Sequence, residues 1–304
     1  MIQELLRPRP KKPQPKPPLP RILHDKCTGC GLCTSVCLVL ERRNKKVVVA
    51  RPDICIRCGH CGAICPSNAI VGPSVEAKRL TARDRGVAPS AVSLQFLLRS
   101  RRSVRRYKSK PILKKDLDKI LEAGRYTPTG TNTQGIEYIV ITDPDRIAHL
   151  RKMTMPAVIR LFGMANRVAK IPIVSDFLLG DQAAENFQNI YAPAIKNIDE
   201  YTRRGDDRLF YSAPAILLVH GEKLDDMAFS CSAALFSCYL MAHTLGIGCC
   251  LNGFLVLAAN RDPKVKKWLG IPRSHKCHAA MTLGYQDVKY HHLVKRNPVK
   301  VRWL

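Results

Sequence analysis

The sequence predicts two parts: a small cysteine-rich segment, then a larger domain of alternating helices and strands, α+β or α/β. Three observations carry this. Eight of the thirteen cysteines fall within residues 22–72. Residues 73–89, PSVEAKRLTARDRGVAP, are charged and carry proline at both ends, as a linker does. From Ser90 onward, helical apolar spacing and short apolar runs take turns. A chain of 304 residues has room for about two domains.

Residues 1–21 are rich in Pro and Lys and read as an extended basic tail. Its opening, MIQELLRPRPKKPQPKPP, lacks the apolar core of a signal peptide. A cytoplasmic chain is therefore expected, in which thiols stay reduced and clustered Cys point to metal rather than to disulfides. In the larger domain, residues 90–304, SAVSLQFLLRS is predicted to be a helix capped by Ser90. Residues 114–126 place Leu117, Ile120 and Leu121 at helical spacing. IEYIVIT (136–142) is predicted to be a strand. Residues 145–210 read as mostly helical, with boundaries at Pro156, Pro172 and Pro193. PAILLVHG (214–221) reads as a short buried strand, 224–245 as a long apolar helix and HAAMTLGY (278–285) as another strand.

Residues 227–260 contain no Asp, Glu, Lys or Arg. LGIG (245–248) breaks that run, and His243 and Asn252 interrupt it. A spanning helix needs about 20 mostly apolar residues without such a break. A buried core helix followed by a buried strand is expected instead, with no membrane span. Lys and Arg number 50 against 24 Asp and Glu, a formal charge of +26. Such a surface attracts nucleic acid, anionic membranes, acidic proteins or anionic small molecules. Single-stranded nucleic acid also needs aromatic stacking platforms among the basic residues. The basic runs here are nearly free of them, so no nucleic-acid partner is expected.

Two runs in the first part carry chemistry. CTGCGLCTSVC (27–37) and CIRCGHCGAIC (55–65) both read C-x2-C-x2-C-x3-C. Three thiolates at that spacing on a tight loop hold three corners of a cubane, and the fourth corner must come from elsewhere. Zinc sites use two ligand pairs separated by a longer loop. Two fully used four-Cys runs fit iron–sulfur better. Over about 50 residues this segment resembles bacterial two-cluster ferredoxins. In that family the fourth Cys of each run ligates the other cluster. The resemblance implies one 4Fe–4S cluster on Cys27, Cys30, Cys33 and Cys65, and a second on Cys55, Cys58, Cys61 and Cys37. Pro66 follows the last Cys of the second run, as in the family, but Leu38 stands where the first run would have Pro. Both clusters are still expected, with a changed local turn or potential around Cys37. Arg42, Arg43, Lys45 and Lys46 make the segment basic, which favours an acidic docking partner.

Three stretches of the larger domain bear on where electrons would go. RRSVRRY (101–107) gathers Arg101, Arg102 and Arg105 around Ser103. Guanidinium forks match phosphate oxygens and a serine hydroxyl adds a donor; alone, the stretch reads equally as a solvated basic patch. YTPTGTNTQ (126–134) packs hydroxyls, a Gly and two amides into one loop that can face a flat heterocycle, or be an ordinary polar loop. LGIGCC (245–250) ends the apolar helix. Its glycines permit close backbone approach to a ligand, or form a helix C-cap.

In this order, over residues 90–300, the three stretches resemble the nitroreductase family of flavoproteins. The resemblance implies an α+β fold and a homodimer with FMN at the interface, each site built from both chains. The long helix at 224–245 would then be buried in the subunit contact. The resemblance places Arg101, Arg102, Ser103 and Arg105 on FMN phosphate and ribityl. Pro128, Thr129, Gly130, Asn132 and Gln134 would touch the flavin, with Gly246, Ile247 and Gly248 beside it. From VKRNP (294–298), Lys295 and Arg296 would lie near the phosphate. Thr129 and Gly130 replace the family's usual Ser pair, and Gly135 and Ile136 replace its Pro and aromatic, which alters the pocket shape. No residue is assigned as a catalytic acid, because the cofactors carry the chemistry. The remaining Cys231, Cys238, Cys249, Cys250 and Cys277 have no cluster spacing and read as buried thiols.

The resemblances together imply an iron–sulfur flavoprotein oxidoreductase. Its acceptor would be a nitroaromatic, a quinone or a similar small conjugated molecule, and its donor an acidic ferredoxin or flavodoxin. An electron-transfer adaptor serving a protein partner is the alternative. No Gly-rich dinucleotide fingerprint is present, although this family binds nicotinamide without one, so reduction by NAD(P)H stays open.

Overall fold

The computed structural model describes residues 18–72, 74, 75, 81, 84, 86–169 and 192–304. Most of the basic tail, most of the linker, and the helical boundary expected at Pro172 lie outside the described residues. The chain divides into two compact units. The first runs to Ala88 and includes Thr131–Thr133; the second comprises Pro89–Gly130 and Gln134–Leu304.

In the first unit, β1 (Arg21–Ile22) pairs antiparallel with β4 (Ile70–Val71). β2 (Leu40–Arg43) and β3 (Lys46–Val49) form a hairpin. Its two-residue loop, Asn44 and Lys45, has φ of 46° and 61°, the left-handed geometry that matches strand twist. The four-residue helices α1 (Leu32–Ser35) and α2 (His60–Ala63) each begin inside a cysteine run. Leu40, Val47, Ala69 and Ile70 form the core together with Cys27, Cys33 and Cys61.

The second unit is α+β. Its strands are β5 (Glu137–Ile141), β6 (Ala215–Glu222), β7 (Ile247–Leu251) and β8 (His275–Tyr285). They pair antiparallel throughout, in the order β5-β6-β8-β7. β6 is buried from Ala215 to Gly221 because helices cover both faces of the sheet. Period-two alternation divides its side chains. Ile216 and Leu218 join a core with α5 (Pro144–Ala169), α8 (Gly253–Arg261) and α9 (Pro263–Trp268). Ala215, Leu217 and Val219 face α4 (Lys114–Arg125) and α7 (Asp225–Thr244). The remaining helices are α3 (Ala91–Ser100) and α6 (Ala192–Arg203).

Ser90 caps α3 as expected, its side chain accepting from Ser93 N. α7 is long and apolar enough to cross a membrane, but eight of its residues are buried and β7 follows as a buried strand. One boundary is corrected: Pro156 lies inside α5 rather than ending a helix. Proline removes one intrahelical donor, yet neighbouring Met155, Ala157 and Val158 are buried in the core, and that packing holds the helix through it. Pro193 sits in the first turn of α6, where a missing N–H costs nothing.

All five cysteines of the second unit are buried and free. Burial pushes the thiols of Cys231, Cys238 and Cys277 up to about 12. An unfolded thiol titrates near ~8.5. The stability these neutral thiols contribute is full below that value and is lost as pH rises toward 12, because only the unfolded chain gives up the proton. Denaturation followed by tryptophan fluorescence should show stability falling above about pH 9, by up to ~1.4 kcal/mol per pH unit per thiol. Cys238→Ala should flatten that slope; an unchanged slope would contradict this account.

Candidate functional site

The two cysteine runs share one backbone. Gly29 (φ 69°) and Gly31 (φ 81°) flank Cys30, and Arg57 (φ 56°) and Gly59 (φ 77°) flank Cys58. The left-handed residues tighten the turn of each loop around its central cysteine. At Gly59 the constraint is severe: a Cβ would lie 2.1 Å from the Ser74 carbonyl oxygen.

The sulfurs fall into two groups, each drawing on both runs. Burial first, and then the neighbouring thiols of Cys65, Cys30 and Cys27, raise the Cys33 thiol against one backbone hydrogen bond. Burial first also raises Cys61, with Cys37 and Cys58 adding to it. Cys37, Cys55, Cys58 and Cys61 line one cavity of about 290 Å³. Burial would raise Cys65, but hydrogen bonds from Ser67 and from backbone N–H groups, Ala69 among them, bring it below the usual thiol value. Lys46 Nζ donates to the carbonyl oxygens of His24 (2.9 Å) and Cys27 (2.8 Å), placing an ammonium beside the first run. Two groups of four thiols with glycine-shaped loops suit the anionic 4Fe–4S unit. Leu38, in the family's proline position, is 76% exposed.

In the second unit, Arg101–Tyr107 lies along the sheet edge. Ser103 bridges parallel to Cys249, Val104 N donates to Cys249 O at 2.9 Å, and Tyr107 bridges antiparallel to Gln286. Gly248 makes this possible. A Cβ there would stand 2.7–2.8 Å from three side-chain carbons of Val104. The close approach that the glycine permits is thus to Val104, which sequence reading did not single out. Gly246 (φ 71°) is the residue after the α7 C-cap, and Ile247 opens β7 as a buried side chain.

The pinned segment concentrates positive charge. The Arg101 guanidinium lies 5.5 Å from the ring centres of both Phe236 and Tyr239. Arg102 donates to the carbonyls of Arg99 and Arg101 at 2.7 Å, and to His292 O at 3.3 Å. Arg105 stacks on Tyr211 at 5.9 Å and, with Ser103, hydrogen-bonds the Cys250 sulfur. Among the described residues no carboxylate pairs with these three arginines, and the Nε atoms of Arg101 and Arg102 are buried without a hydrogen-bond partner. Burial first, then Arg101 and Arg102, depress the His243 pKa, so its ring stays neutral and donates to or accepts from Ser100 Oγ at 2.9 Å. Unpaired buried donors beside guanidinium groups suit a phosphate.

The polar loop is less settled by its neighbours. Thr129 Oγ1 accepts from Gln134 N at 3.0 Å. Gly130 lies where a Cβ would meet Asp226 Oδ2. Thr131 (47°), Asn132 (57°) and Gln134 (50°) all have left-handed backbone, uncommon for any non-glycine and most so for a β-branched residue. Pro128 is exposed. Lys295 and Arg296 are exposed in the irregular segment after β8, which touches the arginine segment through His292 O.

The comparisons with known proteins agree with this division. A model of the nitroreductase family matches residues 98–285, and a 4Fe-4S dicluster domain model matches residues 19–66. A nitroreductase with bound FMN from Bacteroides fragilis NCTC 9343 is 26% identical and covers 70% of this chain and 96% of its own, at a TM-score of 0.48. A BluB-like flavoprotein from Clostridium difficile 630 is 17% identical and covers 69% and 99%, at 0.50. A ferredoxin from Methanothermococcus thermolithotrophicus is 43% identical over 51 residues, 16% of this chain and 85% of that protein. An uncharacterized polyferredoxin-like protein from Methanocaldococcus jannaschii is 41% identical over 63 residues, 21% of this chain; the chain spans 28% of that relative's length.

Gly248→Ala should displace Val104 and loosen the arginine segment, at a cost of ~1–3 kcal/mol, and should lower bound flavin per chain. Adding Val104→Ala removes two of the three close contacts and should recover part of the flavin. Wild-type flavin content in Gly248→Ala would show that the pinning is dispensable.

Proposed function

Since this chain belongs to the nitroreductase family, we propose that it passes electrons from two 4Fe–4S clusters to FMN and on to a small conjugated acceptor such as a nitroaromatic or quinone. The chain is an FMN-dependent oxidoreductase with an iron–sulfur electron-transfer domain. When bound, the clusters supply single-electron transfer and FMN supplies either one-electron or hydride chemistry.

The observation that carries the reading is the carboxylate-free arginine group with its two buried, unpartnered Nε atoms. Arg101, Arg102 and Arg105 hold the FMN phosphate and Ser103 adds a hydroxyl. Their charge also favours an anionic flavin. Pro128, Thr129, Gly130, Asn132 and Gln134 form the flavin-facing loop, and Lys295 and Arg296 complete the cationic shell. Cys27, Cys30, Cys33 and Cys65 hold one cluster, and Cys55, Cys58, Cys61 and Cys37 the other; the crossed grouping of sulfurs supports this assignment.

The site is completed by a second copy of the chain. α3 buries no residue of its own, and Val92 and Phe96 are exposed at 78% and 63%. α7 also exposes Phe229 and Phe236, and the last residues expose Val299, Val301, Trp303 and Leu304. Apolar surface of this extent marks an interface. The donor is an acidic ferredoxin or flavodoxin. Arg42, Arg43, Lys45 and Lys46 are all exposed on the first unit's hairpin; Arg43 pairs with Glu41 at 2.8 Å, and Lys46 Nζ donates to the backbone carbonyls of His24 and Cys27.

Arg102→Ala with Arg105→Ala should lower extracted FMN severalfold and leave iron and acid-labile sulfide unchanged. Equal loss of both cofactors would defeat the assignment of separate sites. Cys58→Ala should retain FMN but slow its reduction by a one-electron donor at least ~10-fold, equivalent to ~1.4 kcal/mol in the barrier. An unaffected rate would take the clusters off the path.

A further inference from the structure

Away from the thiols and the arginine group, three ligand-type side chains converge on one face of the sheet. Glu137 opens β5, His220 lies near the end of β6 and His275 opens β8. Each offers one donor atom, and the three donors lie within 4.8 Å of one another. Both histidines are buried; the Glu137 side chain is 55% exposed.

The convergence is built by a β-bulge. Directly opposed residues share a face. Glu137 opposes His220, so those two are together. Between β6 and β8, Val219 opposes Ala279, which would put odd-numbered residues of one strand with odd-numbered residues of the other. The register then shifts: His220 opposes Cys277 and Glu222 opposes His275. Past that shift the parity is reversed, and His275 stands diagonally beside His220 on the same face. Without the extra residue at the bulge, His275 would point through the sheet. Bulges that re-aim a side chain in this way are recurrent near functional sites.

His220 Nδ1 lies 3.1 Å from His275 Nδ1. Glu137 Oε2 lies 3.8 Å from His220 Nε2, and Glu137 Oε1 lies 3.9 Å from His275 Nδ1. Those carboxylate separations are too long for hydrogen bonds. Donors each ~2.0–2.2 Å from a shared tetrahedral ion stand ~3.3–3.6 Å apart; the observed contacts use both carboxylate oxygens and both His220 nitrogens, and with one donor atom taken from each residue the three lie within 4.8 Å of one another. Lys266, which donates to His275 O at 2.5 Å, and His278 also face the group.

We infer that Glu137, His220 and His275 form a binding site for a divalent cation of the zinc class, with three protein ligands and one position left for water. Two imidazoles and one carboxylate are a borderline-soft N/O set, suited to Zn2+ and poorly suited to Mg2+ or Ca2+. Bound there, the ion ties β5, β6 and β8 together three residues after the polar loop ends.

The test uses the full chain with its iron and sulfide loaded, so that the cluster thiols are occupied. Zinc binding is measured by equilibrium dialysis, and the bound ion by zinc K-edge absorption. The expected result is one zinc per chain with a nitrogen/oxygen shell at ~2.0–2.1 Å. Glu137→Gln, exposed and so tolerated by the fold, should weaken binding at least ~10-fold, and His220→Gln should abolish the site. No zinc retained, a sulfur shell at ~2.3 Å, or equal affinity in wild type and Glu137→Gln would each overturn the inference.

Discussion

Ladder hydrogen bonds along β8 hold the second unit together. That strand pairs with β6 on one side and β7 on the other. Through β7 it sets where Ser103 and Val104 dock, and through β6 it sets which side chains stand beside His220. A strand's side-chain period is two, so a slip of one residue would exchange its faces. The chain prevents a general slip by burying β8 from Ala280 to Gly284 between two cores. It permits a local one at Val219/His220, where the extra residue changes what the outer end of the strand can present. One strand therefore carries an inflexible register at one end and a deliberate irregularity at the other.

Charge is distributed with similar economy. The formal excess of +26 is spread over the surface, but its consequences are local. Many arginines are satisfied by carboxylates a few residues away, as in Arg125 with Glu122 and Arg203 with Asp199. Such exposed pairs contribute little stability. The arginines at 101, 102 and 105 are handled differently. They rest on Phe236, Tyr239 and Tyr211 and on backbone carbonyls, which orient the guanidinium groups without neutralising them. Aromatic faces tolerate a cation while leaving its N–H groups directed elsewhere. Among the described residues no carboxylate partners this group, and a multiply charged anion would suit it.

The sequence was most legible where the chemistry is local. Four cysteines in eleven residues, repeated, specify their loops because the glycines and thiols that matter are neighbours in the chain. The apolar run of β6 and the helical spacing of Leu117, Ile120 and Leu121 were equally readable, since burial on one face imposes a period. Pro156 misled because a local rule yielded to tertiary packing around α5. Gly248 was noticed but its contact was not, since Val104 is distant in sequence and meets it only through the β7 ladder. The Glu137–His220–His275 group gave no signal at all. Its members are scattered over more than 130 positions, and the parity change that unites them exists only once two strands have paired. His275 in particular reads as an ordinary strand residue until the bulge is seen.

The first unit carries one more consequence. Three of the seven buried residues of its core are cysteines of the two runs. A segment of this size cannot rely on apolar burial alone, and here the atoms that fill its centre are also those proposed to hold the clusters. The crossing of sulfurs between runs means that each closure spans distant parts of the segment, where a cross-link removes the most freedom from the unfolded chain. Metal binding of this kind is folding free energy. On that proposal the folded population of the unit depends on iron and sulfide supply, and on exposure to oxygen, as much as on temperature or denaturant. A cell short of iron would lose the protein's structure along with its electrons.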